Sequence, residues 1–290
     1  MSSSVHTNMG AMVALQNLNK TNRELEGIQT RINTGFKISE ARDNGAVYNI
    51  AQQQRSEDST YDAVRTSLNR AKSIADVALA AGAQISDIFA QMRQKAVAAS
   101  DTSITAVSRA AYNNEFIQLR DQIASVIANA SFDEANALNG GDATPATKYD
   151  FLANSTGTLT VALPIIDLRL TTGAGGTPAS PATDVYLGTT DVLDTAANSA
   201  LVRDRLVASL EYVNTEIARL AASAKRIENH ELFVSKLQDS IKGGIGYLVD
   251  ADLAVESARL QATQVKQQLG TQALSIANQA PQAILSLFRN

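Results

Sequence analysis

The feature that most constrains this chain is a helical pattern nearly free of breakers from Asn44 to Ala99, carrying one apolar seam. Tyr61, Val64, Leu68, Ala71, Ala75, Ala78, Gly82, Ile85, Phe89, Met92 and Ala96 alternate by three and four. Five consecutive heptads of this kind form a coiled-coil seam. At 1.5 Å per residue the rod is ~80 Å long. Ala and Gly on the seam let a partner helix approach closely. Asp43-Asn44-Gly45 is the turn and cap at its start, and Ser100 to Ser103 the break at its end.

Two further seams supply partners. One is Tyr112, Phe116, Leu119, Ile123, Val126 and Ala130. The other is Leu206, Leu210, Val213, Ile217, Leu220, Ala224 and Ile227, then Val234, Leu237 and Ile241. Glu231 falls on this last stripe, with Leu232 expected to take its place. Three antiparallel helices with matching seams make a slender bundle. Gly243, Gly244 and Gly246 are expected to end the third helix.

Between the second and third helices the composition changes. Four of the five prolines lie between 145 and 181, and seven of the sixteen glycines between 140 and 188. Tyr149 to Leu152 and Leu159 to Leu163 read as strands around the turn residues Asn154 to Gly157. Ile165 to Leu170 and Val185 to Leu187 read as further short strands, and Gly173 to Pro178 as an exposed loop.

The two ends form another pair. Val5, Met9, Met12, Leu15, Leu18, Leu25, Ile28 and Ile32 mark one amphipathic helix. Leu253, Leu260, Leu269, Ala273, Ile276, Ala280, Ala283 and Leu287 mark the other. Neither buries its face alone, and isolated helices of this length are marginal in water. They are expected to order only against each other and against neighbouring copies. No acidic residue precedes Glu24 or follows Glu256; the Gln/Asn-rich remainder can hydrogen-bond between stacked chains without burying unpaired charge.

Several function classes fall away. Net charge is −4, so there is no nucleic-acid footprint. Cysteine is absent, which removes disulfides, thiolate nucleophiles and Cys metal sites. His6 and His230 have no ligand partner at helical spacing. There is no HExxH, GxSxG or P-loop, and no two carboxylates stand out as an acid/base pair. The reading is a chain without enzyme activity, cofactor or metal. No Sec-type signal is visible, and the uncharged stretch 267–288 is too interrupted by Gln, Asn and Pro281 to span a membrane.

The C-terminal run Ala251-Asp252-Leu253-Ala254, Glu256-Ser257-Ala258, Gln267-Gln268-Leu269-Gly270, Ala277-Asn278-Gln279 and Ile284 to Arg289 resembles the end of bacterial flagellins. Leu15 to Asn19, Arg31 to Gly35 and Ala41 to Ala46 resemble their start. Asn-Thr-Gly and Asp-Asn-Gly-Ala look most like the short alphaproteobacterial members. Asn290 after the usual terminal Arg is a departure. The similarity covers about 1–140 and 200–289.

The resemblance implies a mainly α fold: a long antiparallel helical bundle with a small β-hairpin-containing insert, its termini paired as a coaxial coiled coil in a filament. The implied order is an inner-core helix (1–33), a connector (34–44), outer-core helices (45–141), a variable β-rich insert (142–197), an outer-core helix (198–242), a connector (243–250) and a C-terminal inner-core helix (251–290). It implies a structural subunit of the swimming filament, outside the cell, exported unfolded by the flagellar type III apparatus. The implied partners are other copies, an export chaperone, and hook-associated and cap proteins, with no nucleic acid and no membrane insertion.

Assembly then falls on Leu15, Leu18, Leu25, Ile32, Leu260, Leu269, Ile276, Leu285, Leu287 and Phe288. Outer packing falls on Leu68, Gly82, Ile85, Phe89, Met92, Phe116, Leu119, Ile123, Leu210, Val213, Ile217 and Leu220. Flagellins resembling this one carry O-glycans in the insert, which directs attention to Ser155, Thr156, Thr158, Thr171 and Thr172. In flagellins sensed by the animal Toll-like receptor, a helical patch reads Gln-Arg-Val-Arg-Glu-Leu-Ala-Val. Here Ala90 to Val97 keeps Arg93 but has Gln91 for the receptor-contacting Arg, Gln94 for the Glu and Lys95 for the Leu, while Glu115 matches the acidic member. A hook–filament junction protein shares related ends but lacks the C-terminal Asn-Gln and Ser-Leu-Phe-Arg pattern. An enzyme on a helical bundle would need convergent His, Cys or acids, and a cytoplasmic coiled-coil scaffold leaves both terminal motifs unexplained.

Overall fold

The computed structural model describes residues 8–140, 147–179 and 182–287. Its elements are α1 (Met9–Thr34), α2 (Gly45–Ala99), α3 (Ala106–Asn129), β1 (Ser131–Phe132), β2 (Ala135–Asn136), β3 (Lys148–Leu152), β4 (Thr160–Pro164), α4 (Ala196–Val249) and α5 (Leu253–Leu287). They divide into two compact units, Met1–Asp58 with Asp239–Asn290, and Ser59–Gln238.

Each helix start is capped by the residue type that favours it. Asn8, Asn44, Thr105, Thr195 and Asp252 accept from backbone N–H groups of the first turns of α1 to α5 respectively. Gly35 closes α1 with a left-handed φ of 74°, its N–H donating to the Arg31 carbonyl.

In the Ser59–Gln238 unit, the long seam is the core. Leu68, Ala71, Ala75, Ile85, Phe89, Met92 and Ala96 are fully buried. They share that interior with Phe116 and Ile123 of α3 and Val213, Leu220 and Ile227 of α4. The antiparallel register of α2 and α4 is fixed by polar bridges. Ser86 Oγ donates to Asn214 Oδ1 at 2.9 Å, and Gln238 Nε2 to Asp62 Oδ1 at 3.0 Å. By length and composition alone a window of α2 passes for a membrane span. Here its stripe is buried against the other helices.

Three further expectations are corrected. Gly243, Gly244 and Gly246 do not end the third helix: α4 runs through all of them to Val249. Leu232 does not replace Glu231 on the stripe, being 56% exposed while Glu231 is half-buried. The runs 165–170 and 185–187 form no ladder among the described residues; only single bridges pair Asn139 with Asp167 and Thr171 with Gly188. A short hairpin unseen in the sequence, β1–β2, follows α3, with Asp133 and Glu134 at positive φ in its turn. The expected hairpin is present as β3–β4, antiparallel, with Phe151 opposite Val161.

The Gly173 to Pro178 segment is a loop as expected, with Ala174, Gly176, Thr177 and Pro178 exposed, and it is anchored at Gly175. Asp191, 5% exposed, accepts from the Gly175 N–H (3.1 Å), the Gly188 N–H (2.8 Å) and Arg205 Nη1 (2.6 Å). Side chains at Gly175 or Gly188 would collide with backbone atoms at 2.2 and 2.3 Å, so the two segments need glycine where they cross. Ser209 Oγ on α4 accepts from the N–H groups of Tyr186 and Leu187, fastening the insert to the bundle.

Candidate assembly surfaces

In the other unit α1 and α5 pair antiparallel. Asn8 Nδ2 donates to the Ala277 carbonyl (2.7 Å), Gln267 Nε2 donates to Asn22 Oδ1 (2.9 Å), and Arg31 meets Glu256 at 3.7 Å. A β-carbon on Gly270 would lie 3.3 Å from Leu18 Cδ1. On α1 the seam positions, half-buried or buried, are Ala11, Ala14, Leu18, Thr21, Leu25, Ile28 and Ile32, with Gly27 and Arg31 half-buried beside them. On α5 they are Glu256, Leu260, Thr263, Gln267, Gly270, Leu274 and Ala277. Both sets alternate by three and four, which is the coiled-coil repeat. The connectors are tied as well: Lys37 N–H donates to the Val249 carbonyl and Ala251 N–H to the Gly35 carbonyl, both at 2.8 Å.

A second stripe on α5 has no partner among the described residues. Val255 (44% exposed), Leu269 (58%) and Ile276 (69%) stand one position before residues of the occupied seam, and Val265 (54%) lies between two of them, so that the four continue the three-four spacing beside it. Exposed Ala258, Ala262 and Ala273 fill its gaps. Met9, Met12, Val13 and Leu15 are likewise exposed on α1. Of the residues assigned to assembly, Leu18, Leu25, Ile32 and Leu260 thus lie in the intrachain seam, while Leu15, Leu269 and Ile276 face out. Leu285 and Leu287 fall in the last turns of α5, and Phe288 lies outside the described residues, as do Val5 and His6.

The outer-packing residues lie in the bundle interior, with Leu119, Leu210 and Ile217 half-buried and the remaining nine buried. Of the receptor-type patch, Gln91 and Arg93 are exposed on α2, while Lys95 Nζ is 2.5 Å from the Glu115 carboxylate and 5.9 Å from the Tyr112 ring centroid. Thr156 and Thr158 are exposed at the β3–β4 turn, both hydroxyls accepting from Asn154 Nδ2. Ser155 is half-buried, Thr172 exposed, and Thr171 donates its hydroxyl to the Val185 carbonyl at 2.6 Å. No group of three or more His, Cys, Asp or Glu that could hold a metal occurs among the described residues.

Paired terminal helices with an open heptad stripe, joined in sequence to a long helical bundle, define a structural subunit of a helical polymer. The bacterial flagellin N-terminal helical region matches residues 5–143, and the C-terminal helical region matches residues 206–288. The chain is 46% identical over 287 residues to flagellin FljK of Caulobacter vibrioides, covering 99% of this chain and 98% of that one. It is 38% identical over 288 residues to a flagellin of Brucella melitensis, covering 99% of each. A putative flagellar hook-associated protein from Vibrio parahaemolyticus shares the fold at a TM-score of 0.54 and 11% identity, over 71% of this chain and 99% of that one. The chain belongs to the bacterial flagellin family: it is a structural subunit of the flagellar filament, assembled from copies of itself.

Proposed function

We propose that the open α5 stripe is the surface by which copies stack in the filament. The carrying observation is that Leu269 and Ile276 are 58% and 69% exposed on a regular heptad spacing although the same helix has already used one seam within the chain. Burying each such side chain contributes roughly 1.5–3 kcal/mol, and repetition along the polymer multiplies that gain. In this reading 1–33 and 251–290 form the inner layer of the filament, 45–141 and 198–242 the outer layer, 34–44 and 243–250 the connection, and 142–197 the outward insert. The subunit works outside the cell, without enzymatic activity. It is exported unfolded by the flagellar type III apparatus with a chaperone, and meets hook-associated and cap proteins at the filament ends.

The test is Leu269→Asp with Ile276→Asp. Soluble, helical protein that no longer forms filaments supports the stacking reading, and normal filaments refute it. The same reading places the insert toward solvent, where Thr156, Thr158 and Thr172 offer accessible hydroxyls for O-glycans and Ser155 a half-buried one, while Thr171 is committed to Val185. Intact-mass spectrometry of filaments giving the bare chain mass refutes modification.

A further inference from the structure

With no cysteine, all the sulfur of the chain lies in four methionines. Met1 lies outside the described residues. Met92 belongs to the α2 seam and is fully buried. Met9 and Met12 are the opposite case, 67% and 51% exposed on α1. They stand one turn apart, with exposed Val13 beside them and exposed Leu15 one turn further on. A thioether on an open helix face adapts its shape to an incoming surface. It also offers its sulfur to any oxidant that reaches it, and susceptibility follows exposure.

The position of this face on the helix pair points to its occupant. Asn8, which caps α1, donates to the Ala277 carbonyl, and Leu18 lies against Gly270. Between those two levels lie Met9, Met12 and Leu15 on α1 and Ile276 on α5, with Leu269 next to Gly270. The open face of α1 and the open stripe of α5 therefore expose apolar side chains at the same end of one helix pair. The chain belongs to a family whose members polymerise with themselves, so the surface that covers both is another copy.

We infer that Met9 and Met12 form a modification site at which oxidation blocks assembly. Hydrogen peroxide transfers one oxygen to each Sδ and leaves as water; each sulfur is oxidised by two electrons and each peroxide reduced by two. The product sulfoxide is polar and chiral where the thioether was apolar and flexible. Its oxygen accepts hydrogen bonds, and seating it between two copies strips its water without supplying a donor. An oxidised chain therefore does not add to the polymer. Once a copy is seated, the same contact shields both sulfurs. The inference rests on the reading that copies stack through α5, and extends that interface to α1.

The test treats full-length monomer with hydrogen peroxide. Peptide mapping is expected to find Met9 and Met12 converted while Met92 stays a thioether. The critical concentration for assembly is expected to rise about tenfold or more. Methionine sulfoxide reductases A and B together should return it to its starting value, which separates reversible oxidation from damage without any substitution. In preformed filaments the same dose should convert Met9 and Met12 about tenfold more slowly than in monomer. The Met9→Leu, Met12→Leu variant, which keeps Met1 and Met92, is compared with itself, treated and untreated, and its critical concentration should not move. Met92 reacting as fast as Met9, oxidised monomer assembling like reduced monomer, filament sulfurs reacting at the monomer rate, or a Leu variant that stays peroxide-sensitive overturns the inference. The Leu269→Asp, Ile276→Asp variant keeps both sulfurs and judges the stacking reading separately: normal filaments from it refute stacking through α5, whereas the peroxide response of the unsubstituted chain is read on Met9 and Met12 alone.

Discussion

A β-carbon on Gly82 would stand 2.9 Å from Ile217 Cγ1 and 3.2 Å from its Cδ1, so the α2 backbone passes directly beneath the Ile217 side chain of α4. That spacing lets two effects be weighed. Gly82→Ala gains about 1 kcal/mol in helix propensity and costs a comparable amount in displaced Ile217, which is only half-buried and can turn. The expected net change is under about 1 kcal/mol. Gly82→Leu has no such room and is expected to cost about 1–3 kcal/mol by overpacking. Denaturant melts of the two variants check the ordering, and Ile217→Ala added to Gly82→Leu should recover much of the loss.

Asp191 supports a second prediction. Asp191→Ala removes one partner of a buried ion pair and leaves the Gly175 and Gly188 N–H groups open. Breaking a buried pair this way costs about 3–5 kcal/mol, expected as a Tm fall on the order of 10 °C. Hydrogen exchange should locate the damage at 173–191 first. Equal protection there in mutant and wild type would contradict the anchoring role.

These two sites mark what the sequence could and could not disclose. The α2 seam was readable because three-four spacing is written in residue types, and every seam residue from Tyr61 to Ala96 is buried. Asp191 was not, because one acid among threonines has no period; its role comes from glycine segments that cross only in three dimensions. Gly243, Gly244 and Gly246 misled because propensity alone disfavours them by about 1 kcal/mol each, and tertiary context overrides that. On α5, hydrophobicity put Leu260, Leu269 and Ile276 on one face, to be covered by α1 and by neighbouring copies, without dividing it between the two. Within the chain Leu260 joins Gly270, Leu274 and Ala277 against α1, the small residues admitting it closely, and Leu269 and Ile276 are left exposed.

A third prediction concerns pH in the Ser59–Gln238 unit. The Arg169 guanidinium holds the Asp167 carboxyl below its ordinary 3.8, and the Ser103 N–H does the same for Asp101. The Lys225 ammonium holds Glu228 below 4.5. Groups depressed in the folded state contribute stability above their unfolded pKa and lose it as pH falls through the folded value. Tyr212 is the opposite case: burial, then the Glu216 charge, pushes it from 10.0 to about 12. Its contribution is complete below pH 10.0 and lost as pH rises towards about 12. Melting temperature should therefore be flat from about pH 5 to 9 and fall on both sides. Asp167→Asn should shallow the acid limb, and Tyr212→Phe the alkaline one.

The last prediction turns on Lys95. In the receptor-type patch an apolar Leu is the expected residue, and the ammonium here is held between Glu115, at 2.5 Å, and the Tyr112 ring. Docking a receptor over this surface would either desolvate that pair or break it, a cost that Leu does not incur. Gln91 compounds it: the guanidinium it replaces could make charge-assisted, bidentate hydrogen bonds that an amide cannot. The acidic member, Glu115, is present but already engaged by Lys95, so matching it in sequence does not make it available. Arg93 is exposed and matches the patch, but Arg-type anchors act as hot spots only with well-packed neighbours. The monomer is therefore expected to stimulate the receptor far more weakly than enterobacterial-type flagellin in a reporter-cell dose–response, and comparable potency would refute the patch reading. Lys95→Leu alone frees Glu115 and removes the desolvation cost; Gln91→Arg alone restores the donor fork. If both causes operate, each should recover part of the response, and the double variant more than either.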